Sequence, residues 1–424
     1  MRRRLYTCLF RLAVPLLWLG MWRRSRRVPG QWDVLARTRF GHPETDALPG
    51  AVWVHAVSLG ETRAAQPLVA ALLARGLPVL LTHMTATGRA EGARLFGQAI
   101  AAGQLRQAWL PYDFPGPAGR FLDHYAPRCG LIIEREIWPN LLAAARARRL
   151  PMALVSARFS ARSLRTTRRL GAVMREAIAS LDQVLAQTEE DAQRLREAGA
   201  RAVSVTGNLK FDVELPPEQL RDGHTWRDAV GRPVVAIAST REGEDALFLQ
   251  AMRALPEPRP LYLLIPRHPQ RFDQAWAQAE AAGLRAVRRS VSQAPPEAGV
   301  DLVVGDTLGE MAFYYAAADV AIIGGSFAAL GGQNLIEACV AGTPVITGPH
   351  TFNFKQATRD AIEAGAAERV HDARQALQLA AQWLADPALL QRRARAARDW
   401  TAAHTGAVAR SLEVLRDMLG GARG

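Results

Sequence analysis

Residues 51–84 read AVWVHAVSLGETRAAQPLVAALLARGLPVLLTHM. Two short apolar runs, 51–57 and 77–84, lie on either side of a segment whose apolar residues recur at helical spacing up to Gly76. The pattern therefore predicts a strand, a helix and a second strand. Strands joined in this way pair in parallel, and their continuous apolar character is typical of strands that are covered on both faces.

The same alternation continues along the chain. Further apolar runs bounded by turn residues are predicted as strands: CGLIIE, PMALVS and QVLAQT in the first half, and RPVVAIAST, RPLYLLIPRH, VDLVVGD, ADVAIIGGS and TPVITGP in the second. A chain of 424 residues is too long for one core, so we predict two Rossmann-like α/β domains, 29–212 and 227–424. The proline-containing segment 213–226 between them is predicted to be the linker.

The composition limits the partners and the compartment. The chain has 53 Lys and Arg against 40 Asp and Glu, which favours anionic partners, although charge alone does not choose among phospholipid, nucleotide and nucleic acid. Its three cysteines form no CxxC motif, and no histidine cluster has metal-ligand spacing, so we expect neither a disulfide framework nor a metal site. A reducing compartment is expected.

The first 28 residues are predicted to be a membrane anchor. Leu5 to Trp22 is an apolar stretch of roughly bilayer length, interrupted by Arg11 and Pro15 and flanked by arginines. A cleavable signal is not favoured, because RRSRR follows and no small-residue cleavage site is present. A tilted span and an amphipathic helix lying in the membrane plane both fit this pattern, and an apolar core helix is the alternative.

Glu61 is the first candidate functional residue, because it follows a buried strand and Gly60 at the start of a helix. In parallel α/β sheets, ligands collect beyond the carboxyl ends of the strands. A carboxylate there can act as a general base if burial raises its pKa toward the working pH. The alternative is a glutamate that only complements the helix dipole.

Other polar residues follow the neighbouring strands of the first half. Thr85 and Thr87 either help to hold an anion or are N-caps. Glu134 and Glu136 point the same way if that stretch is extended, and they suggest binding of sugar hydroxyls or positioning of a cation. The alternative is an arginine-paired structural site. Lys210 is one of only two lysines, so a specific role stands beside a plain surface position as an interpretation.

Three strand ends carry candidates in the second half. Ser239 and Thr240 end one strand, and Arg267 with His268 follows the next, where they can present cations to a phosphate. The stretch 331–334 is predicted to begin a helix whose positive end approaches a phosphate, with Glu337 one turn on, where a ribose hydroxyl could reach it.

These motifs together resemble the 3-deoxy-D-manno-octulosonic acid (Kdo) transferases. The resemblance covers nearly the whole chain and rests on collinear matches: HAVSLGE, MTATG, LPYDFPG, EREIWPN, SARFSARS, TGNLKFD, ASTREGE, PRHPQRF, GDTLGEM, GGSFAALGGQN and GPHTFNFK. It implies the GT-B architecture, in which two Rossmann-like domains face a central cleft, and a metal-independent, inverting transfer of Kdo from CMP-Kdo to the 6′-hydroxyl of the lipid A precursor lipid IVA. It also implies attachment to the cytoplasmic face of the inner membrane and its anionic phospholipids, with no cofactor and no nucleic acid.

The resemblance also implies roles for individual residues. Glu61 corresponds to the catalytic base. The residues it places on the donor side are Lys210, Ser239, Thr240, Arg267, His268, Gly325, Ser326, Asn334 and Glu337. Those on the acceptor or Kdo side are Thr85, Thr87, Glu134 and Arg158.

The chain departs from the family pattern at three positions. Arg241 stands where the family has histidine, and Gln333 and Leu335 stand where it has histidine and proline. Gln333 keeps hydrogen bonding but loses a titratable group, and Arg241 adds a permanent charge. The competing hypotheses are a related enzyme that uses another CMP- or UDP-sugar and a membrane-bound binder of anionic polymers without turnover.

Overall fold

A computed structural model of the chain describes residues 2–25 and 35–420, which divide into two compact units. The first unit contains the residues up to Asp212 and those from Thr405 onward, and the second runs from Val213 to His404. The break after Asp212 agrees with the predicted end of the first domain. Each unit is built around one parallel sheet with helices on both faces.

The first unit has seven strands. They are β1 Val52–His55, β2 Val79–His83, β3 Leu105–Trp109, β4 Cys129–Ile133, β5 Met152–Ala157, β6 Gln183–Ala186 and β7 Val203–Val205. Its helices up to this point are α1 Arg3–Ser25, α2 Leu59–Ala74, α3 Ala86–Leu95, α4 Gly97–Ala101, α5 Pro115–Tyr125, α6 Pro139–Ala147, α7 Ala161–Leu170, α8 Ala172–Ala179 and α9 Glu189–Ala198. Two short 3₁₀ helices are Arg37–Phe40 and Leu209–Phe211.

The strand order of this sheet is β3-β2-β1-β4-β5-β6-β7, and every pairing is parallel. The order reverses between β1 and β4, so the carboxyl ends of these two strands open at the switch point where α/β sheets bind ligands. Trp53 of β1 is fully buried against Gly130 of β4, where a Cβ atom would lie only 2.8 Å from the indole ring. Glycine at 130 therefore lets the two strands that bound the switch point pack around this indole.

The second unit repeats this design with different connections. Its strands are β8 Val234–Thr240, β9 Leu261–Pro266, β10 Ala286–Arg288, β11 Leu302–Val304, β12 Val320–Ile323, β13 Val345–Thr347 and β14 Ala367–Arg369. Its helices are α10 Pro217–Val230, α11 Glu244–Arg253, α12 Phe272–Ala281, α13 Met311–Ala316, α14 Ile336–Val340, α15 Lys355–Glu363, α16 Ala373–Ala385 and α17 Pro387–His404, with a 3₁₀ helix at Pro269–Arg271. The order is β10-β11-β9-β8-β12-β13-β14, all parallel, so β8 and β12 bound its switch point.

Two predicted domain limits differ from the structure. Most of the predicted linker, 213–226, lies in α10, which packs on α13 because Gly223 lets the helices approach closely. The chain also returns to the first unit in α18 Ala407–Val414 and α19 Arg416–Gly420. Leu412, Leu415 and Leu419 are buried in the first core there, and the Asp212 carboxylate accepts the backbone N–H groups that begin α18. The predicted second domain, 227–424, is therefore too long at its end; residues 421–424 lie outside the described part.

The predicted anchor, 1–28, is described from residue 2 to Ser25, where it forms α1; residues 26–28 lie outside the described part. One face of α1 packs on the first unit, with Trp18 against Phe40 and Tyr112. The opposite face exposes Leu5, Leu9, Leu12, Leu16 and Leu19. No helix in the described ranges 2–25 and 35–420 has both the length and the apolar character required to cross a membrane.

Candidate active site

Glu61 lies in the first turn of α2, directly beyond the carboxyl end of β1. The helix begins at Leu59, so Gly60 is already helical and Glu61 does not follow a separate glycine turn. Its side chain is only 8% exposed, and its Oε2 accepts the backbone N–H of Val57 at 2.7 Å. The carboxylate therefore folds back toward the switch point of the sheet.

Burial raises the pKa of Glu61 to about 7. The Val57 N–H opposes this shift, the negative charges of Glu134 and Glu136 add to it, and Arg135 lowers the pKa. Half-ionised near neutral pH, Glu61 can accept a proton from a hydroxyl and release it again. A helix-dipole partner needs no such environment, since it is stabilised as an ordinary exposed carboxylate.

Glu134 and Glu136 follow β4, the other strand at the switch point. The expectation of an extended stretch is wrong, because Glu134 is left-handed with φ of 63° and the strand ends at Ile133. The turn still brings both carboxylates close enough for their charges to raise the pKa of Glu61. We call Glu61, Glu134 and Glu136 the carboxylate cluster. A non-glycine residue in this backbone region is strained, and such strain concentrates at functional sites.

Lys210 belongs to this same site in the first unit. Its Nζ lies 2.6 Å from Oε1 of Glu134, whose side chain is 9% exposed. The lysine was predicted as a donor-side charge; the structure pairs it with a carboxylate on the predicted acceptor side. By neutralising Glu134, Lys210 limits how far the cluster raises the pKa of Glu61.

The remaining acceptor-side candidates lie around the same edge. Thr85 is the N-cap of α3, where its Oγ1 accepts the Gly88 N–H at 3.1 Å, so its predicted capping role is confirmed. Thr87 lies within α3 and is exposed. Arg158 follows β5, is half-buried, and donates its backbone N–H to the carbonyl of Glu134.

Two buried histidines, His55 and His83, lie in the neighbouring strands β1 and β2. Burial lowers the pKa of His55 to about 3 and that of His83 to about 4. His55 Nδ1 lies 2.9 Å from the hydroxyl of Thr82, and His83 Nδ1 lies 3.1 Å from the carbonyl of Ala56. Both imidazoles are therefore neutral at pH 7, and neither is protonated or deprotonated as the pH passes through 7.

In the second unit, Ser239 and Thr240 end β8 at a bulge. Ser239 is left-handed with φ of 59°, and Thr240 is fully buried. The carbonyl of Thr240 accepts the backbone N–H of Arg267 at 3.0 Å and a guanidinium N–H of Arg271 at 2.8 Å. Arg271 in turn pairs with buried Asp245, so the end of β8 and the start of the Arg267–His268 turn are held together.

Glu244 is a site residue that the sequence analysis did not select. It is fully buried, and its two oxygens accept four backbone N–H groups: Oε2 those of Arg241 and Gly325, and Oε1 those of Phe327 and Ala328. Three of these donors belong to residues 324–328, which we call the glycine loop. The sequence places Glu244 in the first turn of a helix, and this was the only signal that could have indicated a functional role. That position alone does not show which groups the carboxylate binds.

The helix predicted to begin at Gly331 starts instead at Ile336 and has only five residues. The N–H groups of Gly332 and Gln333 donate to the carbonyls of Gly325 and Gly324, so they are used within the loops rather than open to a phosphate. Asn334 lies at the turn before α14, where its Nδ2 donates to Glu337 Oε1 at 2.9 Å. The structure therefore links Asn334 directly to Glu337, a contact that the sequence did not predict.

Ser326 is also placed differently from the expectation. It is fully buried, donates its hydroxyl to the carbonyl of Ile323, and accepts the N–H of Gly348. Its side chain thus ties the end of β12 to the backbone of Gly348. Gly325 is left-handed with φ of 68°, a conformation that glycine adopts without strain.

Two of the three positions that depart from the family pattern, Arg241 and Gln333, lie beside Gly325. A Cβ atom on Gly325 would lie 3.0 Å from Gln333 Nε2 and 3.5 Å from Arg241 Cγ. Burial and the charges of Arg241 and Arg267 lower the pKa of His268, so this imidazole is largely neutral near pH 7. Leu335 is buried. In residues 2–25 and 35–420, no group of three or more His, Cys, Asp or Glu is arranged to hold a metal ion.

Comparison with known proteins gives consistent matches along the chain. A family profile described as 3-deoxy-D-manno-octulosonic-acid transferase (kdotransferase) matches residues 35–213. The chain is 66% identical over 428 residues to the 3-deoxy-D-manno-octulosonic acid transferase of Bordetella pertussis, covering 99% of this chain and 100% of that protein. It is 32% identical over 394 residues to the enzyme of the same name from Haemophilus influenzae, covering 91% of each.

Solved structures share the fold at low sequence identity. A glycosyltransferase from Rickettsia africae matches with a TM-score of 0.55 and 13% identity, covering 88% of this chain and 100% of that chain. The MurG protein of Acinetobacter baumannii matches with a TM-score of 0.55 and 14% identity, covering 87% and 100%. At these identities the likeness shows the fold alone.

Two parallel-sheet α/β units, each with its motif residues at a switch point, resemble the GT-B class of glycosyltransferases. Within that class, the relatives with the higher sequence identities identify one family. The chain belongs to the family of 3-deoxy-D-manno-octulosonic acid (Kdo) transferases, as its motifs predicted.

Proposed function

We propose that this protein transfers Kdo from CMP-Kdo to the 6′-hydroxyl of lipid IVA, with Glu61 as the general base. The observation that carries the proposal is the buried carboxylate at the switch point of the first sheet, whose pKa lies at about 7. The reacting hydroxyl needs a proton acceptor that is ionised at neutral pH and shielded from bulk water. Glu61 combines both properties.

The proposed reaction is a single displacement with inversion. The acceptor hydroxyl oxygen attacks the anomeric carbon of Kdo as its proton passes to Glu61, and the bond from that carbon to the CMP phosphate breaks. Positive charge develops on the sugar ring in an oxocarbenium-like transition state, as in glycosyl transfer generally. The leaving CMP takes the bonding electron pair as phosphate negative charge.

We propose that the second unit binds CMP-Kdo without a metal. Arg241 and Arg267 follow β8 and β9, so two permanent positive charges lie at the strand ends that bound or adjoin its switch point. The nucleotide lies beside the glycine loop, whose conformation Glu244 fixes. Glu337, held by Asn334, accepts from the ribose hydroxyls. His268, largely neutral, supplies a hydrogen bond to the phosphate or the Kdo carboxylate.

On the acceptor side, we propose that Glu134 and Arg158 orient the glucosamine ring beside Glu61. Glu134 is held by Lys210, so one of its oxygens remains to accept from a sugar hydroxyl. The backbone link from Arg158 to Glu134 fixes the two residues relative to each other. Thr85 and Thr87 at the start of α3 lie on the same edge of the sheet.

We further propose attachment to the cytoplasmic face of the inner membrane through α1, lying in the membrane plane. Five leucines spaced at 5, 9, 12, 16 and 19 form one exposed stripe, and the exposed Arg3, Arg4 and Arg11 lie on the same helix. An apolar stripe beside cations matches a surface of anionic phospholipid. A lipid acceptor is presented at that surface.

One experiment tests the reaction. Purified protein is incubated with lipid IVA and each of CMP-Kdo, CMP-sialic acid and a set of UDP-sugars, and the products are identified by mass spectrometry. We expect Kdo addition from CMP-Kdo alone. The mass of the product also gives the number of Kdo units added. Transfer from a UDP-sugar would support the related-enzyme hypothesis, and salt-sensitive binding without any product would support the polymer binder.

The leucine stripe gives a separate prediction. The double substitution L12S/L16S removes two of the most exposed leucines, whose side chains are 76% and 74% exposed, and so cannot disturb the core. Each buried leucine contributes about 1.5–3 kcal/mol of transfer free energy, so flotation with phosphatidylglycerol vesicles should fall at least about tenfold. Substituting the exposed Val291 of the second unit, V291S, serves as the control. Unchanged flotation of L12S/L16S would refute attachment through this face.

A further inference from the structure

The inner face of α1 carries two hydroxyls that bond to the body of the first unit. Tyr6 donates to Oδ2 of Asp113 at 3.0 Å, across 107 residues of sequence. The hydroxyl of Thr7 lies 3.0 Å from Oδ1 of Asn140 and 3.0 Å from the carbonyl of Arg3. A helix held only by apolar contacts can slide or rotate on the surface it packs against, whereas directional hydrogen bonds fix its rotation about its own axis.

Asp113 connects this helix to a second element. It is 2% exposed, and besides Tyr6 it accepts the backbone N–H groups of Asn140 at 3.2 Å and Leu141 at 2.8 Å, which open helix α6. Asn140 returns a hydrogen bond from its Nδ2 to the carbonyl of Asp113. One buried carboxylate therefore holds both the membrane-facing helix and the start of α6.

The start of α6 follows the segment that bears two members of the carboxylate cluster. Residues 134–138 connect the end of β4 to Pro139, the first residue of α6. This segment has no strand or helix of its own, so its far end is fixed by Asn140 and Leu141 through Asp113. Rings along α1 add contacts to the strand-end loop before α5: Phe10 lies 5.1 Å from Phe114, and Trp18 lies 5.7 Å from Tyr112.

We propose that Tyr6, Asp113 and Asn140 are positioning residues, which hold segment 134–138 at a fixed depth relative to the lipid surface on which α1 lies. This inference rests on the proposed function, since it requires a lipid-embedded acceptor and attachment through the leucine stripe. When α1 lies on the bilayer, Glu134 and Glu136 are held at one fixed height above the phosphates of the lipid headgroups. The acceptor hydroxyl then meets Glu61 without a search along the membrane normal.

The test uses the double variant Y6F/T7V in the full chain. It removes both hydroxyls but leaves the leucine stripe intact, so flotation with phosphatidylglycerol vesicles should stay within twofold of the unsubstituted chain. Transfer of Kdo to lipid IVA embedded in those vesicles should fall about tenfold, the size expected for two lost hydrogen bonds. Transfer to the deacylated, water-soluble form of the same acceptor should remain within about twofold, because that acceptor needs no fixed height.

The matched control is Y125F. Tyr125 is a buried tyrosine of the same unit whose hydroxyl lies 3.3 Å from the hydroxyl of Thr45, a residue outside α1. Y125F should leave the ratio of the two transfer rates unchanged. Equal losses on both acceptors by Y6F/T7V would show that these bonds only support the fold, and no loss on either would show that they position nothing. Either result overturns this inference while leaving the proposed reaction intact. An unsubstituted chain that transfers to neither acceptor would instead overturn the proposed function, and this inference with it.

Discussion

Glu61→Gln should reduce the rate of Kdo transfer by about 10²- to 10⁴-fold while CMP-Kdo still binds. Glutamine has the same shape and can still accept the Val57 N–H through its amide oxygen, so the start of α2 should be preserved. It cannot take a proton from the acceptor hydroxyl. The measurement is kcat with lipid IVA and CMP-Kdo, together with calorimetric titration of the donor, whose proposed contacts all lie in the second unit.

The matched control separates catalysis from helix-dipole stabilisation. Glu189 occupies the first turn of α9 in the same unit, where its side chain is 72% exposed and pairs with Arg196. If Glu61 served only the dipole, E61Q and E189Q would have similar small effects. We expect E189Q to stay within about twofold of normal activity. Near-normal transfer by E61Q would end the assignment of Glu61 as base.

The pH dependence follows from the same residue. Only the carboxylate form of Glu61 accepts a proton, so the transfer rate should rise with pH through about 7 and then level off. The contribution of Glu61 to folding stability should change with pH in the opposite direction. Because the folded pKa exceeds the ordinary value of 4.5, the folded chain holds this proton more tightly than the unfolded chain. The contribution of Glu61 to the free energy of unfolding is therefore fully present below about pH 4.5 and is lost as the pH rises through 7, a trend that E61Q should abolish.

The interior of each sheet was predictable from the sequence, and its edges were not. All eight predicted strands downstream of the opening stretch, and both strands within it, are present, and each is paired on both sides. The four unpredicted strands are β3, β7, β10 and β14, and these are the four sheet edges. An edge strand is covered less completely, as the partly exposed residues of β7 and β10 show, so it carries no continuous apolar run to reveal it.

The candidate site shows a similar division. Strand-end position was sufficient to find Glu61, Glu134 and Arg267, because parallel strands bring their carboxyl ends to one edge. Pairings that depend on tertiary approach were not visible: Lys210 with Glu134, and Asp113 with Tyr6. Their partners are 76 and 107 residues apart in the chain, and no local pattern encodes such contacts.

Backbone conformation was the second source of error. The left-handed turn at Glu134 replaces an expected extended stretch, and the late start of α14 replaces an expected phosphate-binding helix end. Both arise where the chain gives up regular structure for hydrogen bonds between neighbouring loops, such as Gly332 N–H to the Gly325 carbonyl. Secondary-structure propensity describes the average behaviour of a residue type. At these positions the backbone conformation is determined instead by hydrogen bonds to neighbouring loops.

Glu244→Ala should destabilise the second unit and remove donor binding. It leaves four backbone N–H groups without their acceptor, three of them in the glycine loop that we propose contacts the nucleotide. Hydrogen bonds to a buried charged group contribute more than neutral ones, so the loss should reach about 3 kcal/mol or more. Thermal unfolding of this unit should then occur about 6–12 °C lower, as measured by calorimetry.

A destabilised second unit would lose affinity for CMP-Kdo simply because part of it is unfolded. Glu244→Gln is therefore the informative variant. Its amide keeps one oxygen for two of the four donors, but its NH₂ group opposes the other two, so the glycine loop should shift while the fold survives. We expect the KM for CMP-Kdo to rise about 10- to 100-fold, corresponding to one or two lost charged hydrogen bonds. Glu242→Ala is the control, because its side chain is 59% exposed and its ion pair with Arg241 should contribute at most about 1 kcal/mol. If E244Q and E242A bind CMP-Kdo equally well, the carboxylate of Glu244 supports the core of the unit without shaping the donor site.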